Sequence, residues 1–456
     1  MEDEGWAVNE FGEVDLGDKR RTKRLIRLAE QRSRQPNGSI AASCGRKADT
    51  KAAYRWLDNE AIGAEVILEG HYQASAERAA KEKIVLAVQD TTELNYTDHP
   101  ATQGMGYLQG LTIRGMLMHS TLLVTPQRVP LGLIDQQVWV RPDEEFRVQR
   151  DKRKELRTEA KESQKWLVSL EATARIQQRL GETQVINVGD SEADVFDLFR
   201  KANQLHQDLL VRAATDRLVD HQERSLRNYL SGQPVAGEIF LQVPRKAGQA
   251  ARKAHLEIRF APVSIRPPAR RKKENLASVH LWAVLAQEVH VPNGVEAIQW
   301  LLLTTLVIET FDQARTCMAW YSCRWVIETY HKVLKSGCRV EKRQFADTEN
   351  IQRYLALDAV VAWHVLYLTM LGREQPDLPC SVILETHEWQ SLFCFLHHTH
   401  QPPQNPPSLR EATRWIAQLG GFLGRKSDGS PGPMSIWRGL QRLSDIASAW
   451  LVFHVD

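Results

Sequence analysis

Hydrophobic and polar positions along the chain change period several times, and each change marks a new kind of element. The first ~75 residues carry helix-period stretches, "LGDKRRTKRLIRLAEQ" and "DTKAAYRWLDN", separated by the polar loop "SRQPNGS". They predict a small helical module. From Lys83 the pattern shortens to strand period: "IVLAVQD" at 84–90, "GMLMHSTLLV" at 115–124 and "LGLIDQQVWV" at 131–140, as in a meander. A long charged helix over about 154–179 follows, then strand 183–190, helix 192–203 and strand 208–214. That order describes an α/β domain with a mixed sheet.

Residues 216–297 interrupt this rhythm with "GEIFLQVP", "AHLEIRFAPVSI" and "SVHLWAVLAQEV", which read as an all-β insertion. "IQWLLLTT" at 298–305 leads back to helices, the first of them carrying "YSCRWVIETYHKVLK" at 321–335. The apolar run 357–371 is too short to span a bilayer and holds Asp358 and His364, so it predicts a buried helix. "PPQNPP" at 402–407 marks a loop, and 435–453 a terminal amphipathic helix. The expected organisation is a helical module at 1–75, an α/β domain at 76–374 interrupted by the insertion, and a helical region at 375–456.

Composition narrows the class. The 456 residues are 43% hydrophobic and 25% charged, more than one core usually serves. The acidic opening "MEDEGWAVNEFGEVD" lacks the apolar stretch of a signal peptide, and the six cysteines are scattered without paired spacing. Both point to a cytoplasmic protein with reduced thiols and no membrane partner. Net charge is only +3, yet cations clump at 19–34, at 147–157 and at 245–273. Three clumps on a nearly neutral chain favour a polyanion such as DNA. Cys394, His397, His398 and His400 lack the second pair that a zinc finger or ribbon requires.

Candidate chemistry sits at two strand ends and on one helix. Asp90 and Asp190 end the first and fourth strands, and such ends lie side by side in a sheet of this kind. With a third carboxylate they would suit hard cations, which take oxygen ligands, water and substrate phosphate. Glu328 is the natural third. On a continuous helix, Tyr321, Arg324, Glu328 and Lys335 fall within about 60° of one another, with Lys332 joining this polar stripe and Val326, Ile327, Tyr330, Val333 and Leu334 opposite. Taken alone, the stripe is also what an ordinary solvated helix face looks like.

The ordered set Asp90, Asp190, β insertion, then Tyr321-x2-Arg324-x3-Glu328-x6-Lys335 resembles the DDE cut-and-paste transposases of the bacterial insertion-sequence-four family. "LGDKRRTKRL", "AAYRWLDN", "QDTTELNY", "GDSEADVFDLF", "QWLLLT" and "LGGFLGRK" extend the likeness along nearly the whole chain. The resemblance implies an RNase H-like core with Asp90, Asp190 and Glu328 holding two Mg²⁺ ions, which Mn²⁺ could replace. It implies that Tyr321, Arg324 and Lys335 hold the DNA end near its 5′ phosphate, and that Arg212 and Trp300 touch the end, Trp300 beside an unstacked base. The basic module would anchor the terminal inverted repeats through Arg20, Arg21 and Arg24, and the C-terminal region would dimerise the protein on DNA. The implied reaction is strand cleavage, hairpin formation and opening, and transfer to target DNA, near the nucleoid. One departure bears on the site: Ser191 follows Asp190 where a family member carries Arg, removing a possible phosphate ligand. A nuclease without strand transfer and a silent DNA-binding repressor are the alternatives, and the intact carboxylates speak against the second.

Overall fold

The computed structural model describes residues 5–108, 112–141, 162–220, 225–243, 251–425 and 428–454. The basic clump at 147–157, the start of the helix expected from 154 and part of the clump at 245–273 lie outside these residues.

In chain order the first helices are α1 (Trp6–Phe11), α2 (Lys19–Arg34), α3 (Ile40–Cys44), α4 (Lys47–Leu57) and α5 (Ala64–Ala79). Asp18 starts α2 by accepting the Arg20 amide, and Leu25, Leu28, Ala29 and Arg32 form its buried face. Strands β1 (Ile84–Asn95), β2 (Gly106–Tyr107), β3 (Arg114–Val124) and β4 (Pro130–Trp139) follow, then α6 (Gln164–Gln177), β5 (Gln184–Gly189), α7 (Phe196–Gln204), β6 (Asp208–Arg212) and α8 (Leu226–Ser231). Next come β7 (Gly237–Val243), β8 (Arg252–Ile265), β9 (Val279–Val289), β10 (Gln299–Thr304), α9 (Phe311–Ser322) and α10 (Trp325–Lys332). The chain ends in α11 (Thr348–Glu374), α12 (Thr386–His397), α13 (Leu409–Leu419) and α14 (Pro433–Phe453). The described strands form a ten-stranded mixed sheet, with helical regions at both ends of the chain, as expected for an RNase H-like core.

Two compact units divide the chain. The first gathers residues 1–82, 91–148 and 326–456. Its centre is α11, with most of its 27 residues buried; the most apolar window of this helix is 94% buried, so the burial expected for 357–371 is found. Within this unit Arg32 and Asp358, both fully buried, join α2 to α11 through two 3.0 Å hydrogen bonds.

The second unit comprises residues 83–90 and 149–325. Its strands run in the order β1, β5, β6, β10, β9, β8, β7, with β1, β5 and β6 parallel and the rest antiparallel. Trp166, Phe196, Phe199, Leu209, Val211, Leu285 and Leu303 belong to one continuous core beneath it. The segment expected to be an all-β insertion contains α8 and a 3₁₀ turn at Ala269–Glu274 as well, and β9 pairs directly with β10. It therefore extends the sheet while carrying helix.

Two local expectations need correction. Asp90 does not end its strand: β1 continues to Asn95. The polar run "DTTELN" hides the strand because residues 90–93 are only half-buried, and the β-branched Thr91 and Thr92 suit an extended backbone. Nor is 321–335 one helix. α9 stops at Ser322, and Cys323 and Arg324 close tight turns onto the carbonyls of Trp320 and Tyr321 (3.0 and 3.1 Å) before α10 begins. After α10 a π turn spans Val333–Gly337, with the Cys338 amide donating to the Val333 carbonyl at 2.9 Å. The continuous polar stripe is thus broken twice, and Tyr321 and Arg324 are buried rather than solvated.

Candidate active site

β1 and β5 are adjacent and parallel, with Ala87 opposite Asn187 and Val88 opposite Val188. Two more residues in the same register bring Asp90 level with Asp190, on strands spaced ~4.8 Å apart. Gln89 fixes this edge by donating to Asn187 at 3.0 Å in the buried layer below. Asp90 and Asp190 each lie two residues beyond the Val88–Val188 pair of these adjacent strands, Asp90 within β1 and Asp190 just past β5.

Asp190 caps a short 3₁₀ turn, Ser191–Ala193, accepting the Glu192 amide at 2.8 Å. Burial raises its pKa, as does the like charge of Glu192; the amide, Arg324 and Lys165 pull the other way without cancelling the rise. A buried carboxylate of this kind is a hard oxygen donor, the type that a divalent cation takes.

Arg324 is the hub of the cations here. Its guanidinium lies 5.2 Å from the Trp325 ring centroid and acts electrostatically on both Asp190 and Tyr321. Burial raises the Tyr321 phenol pKa, opposed by Arg324 and Arg212 and by a hydrogen bond with Arg324. Trp300, half-buried on β10, meets the Tyr321 ring edge-on at 5.8 Å. Arg212 is the exposed last residue of β6, whose pairing with β10 sets it opposite Leu302. In the second unit, therefore, Asp90, Asp190, Arg212, Trp300, Tyr321 and Arg324 form one neighbourhood.

Glu328, Lys332 and Lys335 fall in the first unit. Glu328 is half-buried on α10, and Lys332 at the end of that helix is exposed. Lys335, in the π turn, donates to the Glu93 carbonyl at 2.7 Å and pairs with Glu341 at 3.4 Å. Among the described residues no three His, Cys, Asp or Glu side chains gather into a group able to hold a metal ion.

Of the predicted N-terminal arginines, Arg20 is almost fully exposed but pairs with Asp18 at 2.9 Å. Arg21 donates to the Leu16 carbonyl, and Arg24 shares Asp49 with Arg27. Together with Lys51 and Arg55 of α4, the three line an open groove beside Trp56. Lys51 and Arg55 were readable, since Lys47, Lys51 and Arg55 recur every four residues on one helix face. Lys165 and Trp325 also belong to the site and carry no such signal. Arg271, in the third basic clump, is occupied by Asp197 and Glu274.

Two sequence families match the chain at its ends. Residues 3–62, which include α1 to α4, match the transposase DNA-binding family. Residues 360–449 match the Tn5 transposase dimerisation domain. Both matches support a Tn5-like transposase. The cationic groove lies within the first match, and the second takes in most of α11 together with α12 and α13. All of the candidate site, from Asp90 to Lys335, lies between the two. In sequence, the candidate site thus lies between a match to a transposase DNA-binding family and a match to a transposase dimerisation domain.

Proposed function

We propose that this transposase moves DNA by cutting and pasting, with Asp90, Asp190 and Glu328 as its catalytic carboxylates. The observation that supports this reading is that β1 and β5, which lead to Asp90 and Asp190, are adjacent and parallel, with Arg324 acting on Asp190. The three carboxylates would hold two Mg²⁺ ions. Bound there, such ions activate a nucleophile and stabilise a leaving oxygen in phosphodiester chemistry. Mn²⁺, with similar oxygen preference, could substitute.

The chain's own residues bind and aim the DNA. Arg324 and Arg212 present planar forks to phosphate, Lys335 a point charge and Tyr321 a hydroxyl. The half-buried Trp300 offers an aromatic face to an unstacked base. Arg20, Arg21 and Arg24 anchor the terminal inverted repeat, and two copies pair two ends. Water first cleaves one strand; the freed 3′ hydroxyl attacks the opposite strand to give a hairpin, which is reopened before attack on target DNA.

The test is incubation with Mg²⁺, a labelled duplex carrying the inverted repeat recovered from DNA flanking the coding region, and a target plasmid. Joined product is expected. Cleavage without joining would reduce the protein to a nuclease, and binding alone to a repressor.

A further inference from the structure

We infer that Glu341 is a positioning residue that fixes the Lys335 ammonium where it meets the DNA end. This rests on the assignment of Lys335 to that end. A lysine stem is long and flexible, so a point charge on it is well placed only if something holds it. Lys335 spends one N–H on the Glu93 carbonyl at 2.7 Å, and Glu341 Oε1 stands 3.4 Å from the same nitrogen. Both side chains remain partly open to solvent, 31% and 23% exposed, so the ammonium keeps an accessible side.

Glu341 is itself anchored at several points. Its Oε1 accepts the Asn95 amide at 2.8 Å, and its carbonyl accepts the His99 ring at 2.9 Å. On either side, the Tyr96 hydroxyl donates to the Val340 carbonyl and Lys342 pairs with Asp98. The chain doubles back to this segment through Arg339, whose φ of 56° lies in the left-handed region that non-glycine residues rarely enter. Such a turn persists where its surroundings hold it. An exposed ion pair adds little to stability, whereas an acceptor tied to the Asn95 amide gives Lys335 a defined direction.

The experiment measures nick, hairpin and released end on denaturing gels for K335A, E341A, E341Q and the K335A/E341A pair, with melting temperatures of each full-length protein. E341A is expected to lower the hairpin-to-nick ratio roughly tenfold, within the range that small misplacements of a reacting strand produce. E341Q, which still accepts from Lys335 and the backbone amide of Asn95, should recover most of it. The double variant should be no worse than K335A. E341A matching the unchanged protein while K335A is defective would overturn the inference and leave the assignment of Lys335 standing. Losses in the double variant equal to the product of both singles would also overturn it. A normal ratio in K335A would overturn both. Should E341A melt early, E341D, which keeps the charge but withdraws it from Lys335, must show the same hairpin defect.

Discussion

Replacing Asp358 by Asn tests how firmly helix α2, inside the match to the transposase DNA-binding family, is seated. In the folded protein Arg32 and Asp358 have no exposed side-chain surface and share two 3.0 Å hydrogen bonds. Arg32 also donates to the carbonyls of Gln35, Pro36 and Gly38 and to the Ser43 hydroxyl. The D358N amide would keep the shape of the carboxylate but strand a buried guanidinium without its counter-charge, a loss of about 3–5 kcal/mol. Against a typical stability of about 5–15 kcal/mol, that is a third or more of the total. Arg32→Met should cost at least as much, because it strands the carboxylate and also orphans several acceptors at about 1–3 kcal/mol each. Joining it to Asp358→Leu should restore part of the loss by removing the stranded charge, a coupling of about 1 kcal/mol or more. Urea unfolding followed by tryptophan fluorescence measures the losses. Because α2 carries Arg20, Arg21 and Arg24, D358N should also weaken binding to the DNA end. A D358N protein within about 1 kcal/mol of the unchanged one would refute the reasoning, since a charge truly stranded in the interior costs more than that.

Asp90→Asn, Asp190→Asn and Glu328→Gln should each abolish cleavage while leaving end binding in a mobility-shift assay intact; a cutting variant removes its residue from the site. Ca²⁺ in place of Mg²⁺ should allow assembly without cleavage, and normal turnover in Ca²⁺ would count against the two-ion arrangement. Changing Arg20, Arg21 and Arg24 together to Ala should weaken end binding and flatten its salt dependence, by a slope of ~0.9 for each phosphate no longer neutralised; an unchanged isotherm across salt concentrations places recognition elsewhere. Acid should destabilise the fold. Burial lowers the pKa of His331 to about 3 and that of His364 to about 4, so neutral imidazoles are favoured and their contribution is complete above about pH 6.5. It is lost as pH falls from there toward these lowered values, and unfolding followed from pH 7 to 3 should show stability dropping by several kcal/mol. His364→Gln should shrink that drop.

Where hydrophobic periodicity was strong, the chain announced its elements. "TQVINVGD" ends in Asp190 one residue past β5, and 357–371 lies inside the buried α11. Both signals come from apolar residues that must be covered by something. The second half of β1 gave no such signal, because residues 90–93 are only half-buried and their polar side chains conceal an extended backbone. The break between α9 and α10 was equally silent: Cys323 and Arg324 are compatible with helix, and the tight turn depends on hydrogen bonds that composition does not specify. Charge was the least readable feature. Arg271 counts toward a basic clump in sequence, yet Asp197, 74 residues away along the chain, has taken it. Strand logic set β1 beside β5, as found, but misplaced the end of β1 relative to Asp90.

The π turn at Val333–Gly337 makes chain length, as well as residue identity, part of what sets the geometry of this region. Its hydrogen bond reaches one residue further back than in an α-helix, which is the signature of a single residue inserted into a helical turn. Removing one residue there, for instance Ser336, could close an ordinary turn with no net loss of hydrogen bonding. It would still bring the chain to Arg339 one residue early, with the wider π turn that preceded it gone. Arg339 would then launch the returning chain in another direction, carrying Glu341 away from the end of β1. Substitution at Ser336, an exposed position, is therefore cheap, while its deletion is a reorientation. The stretch from Lys335 to Arg339 behaves as a gear setting, tolerant of what stands at position 336 and intolerant of its loss.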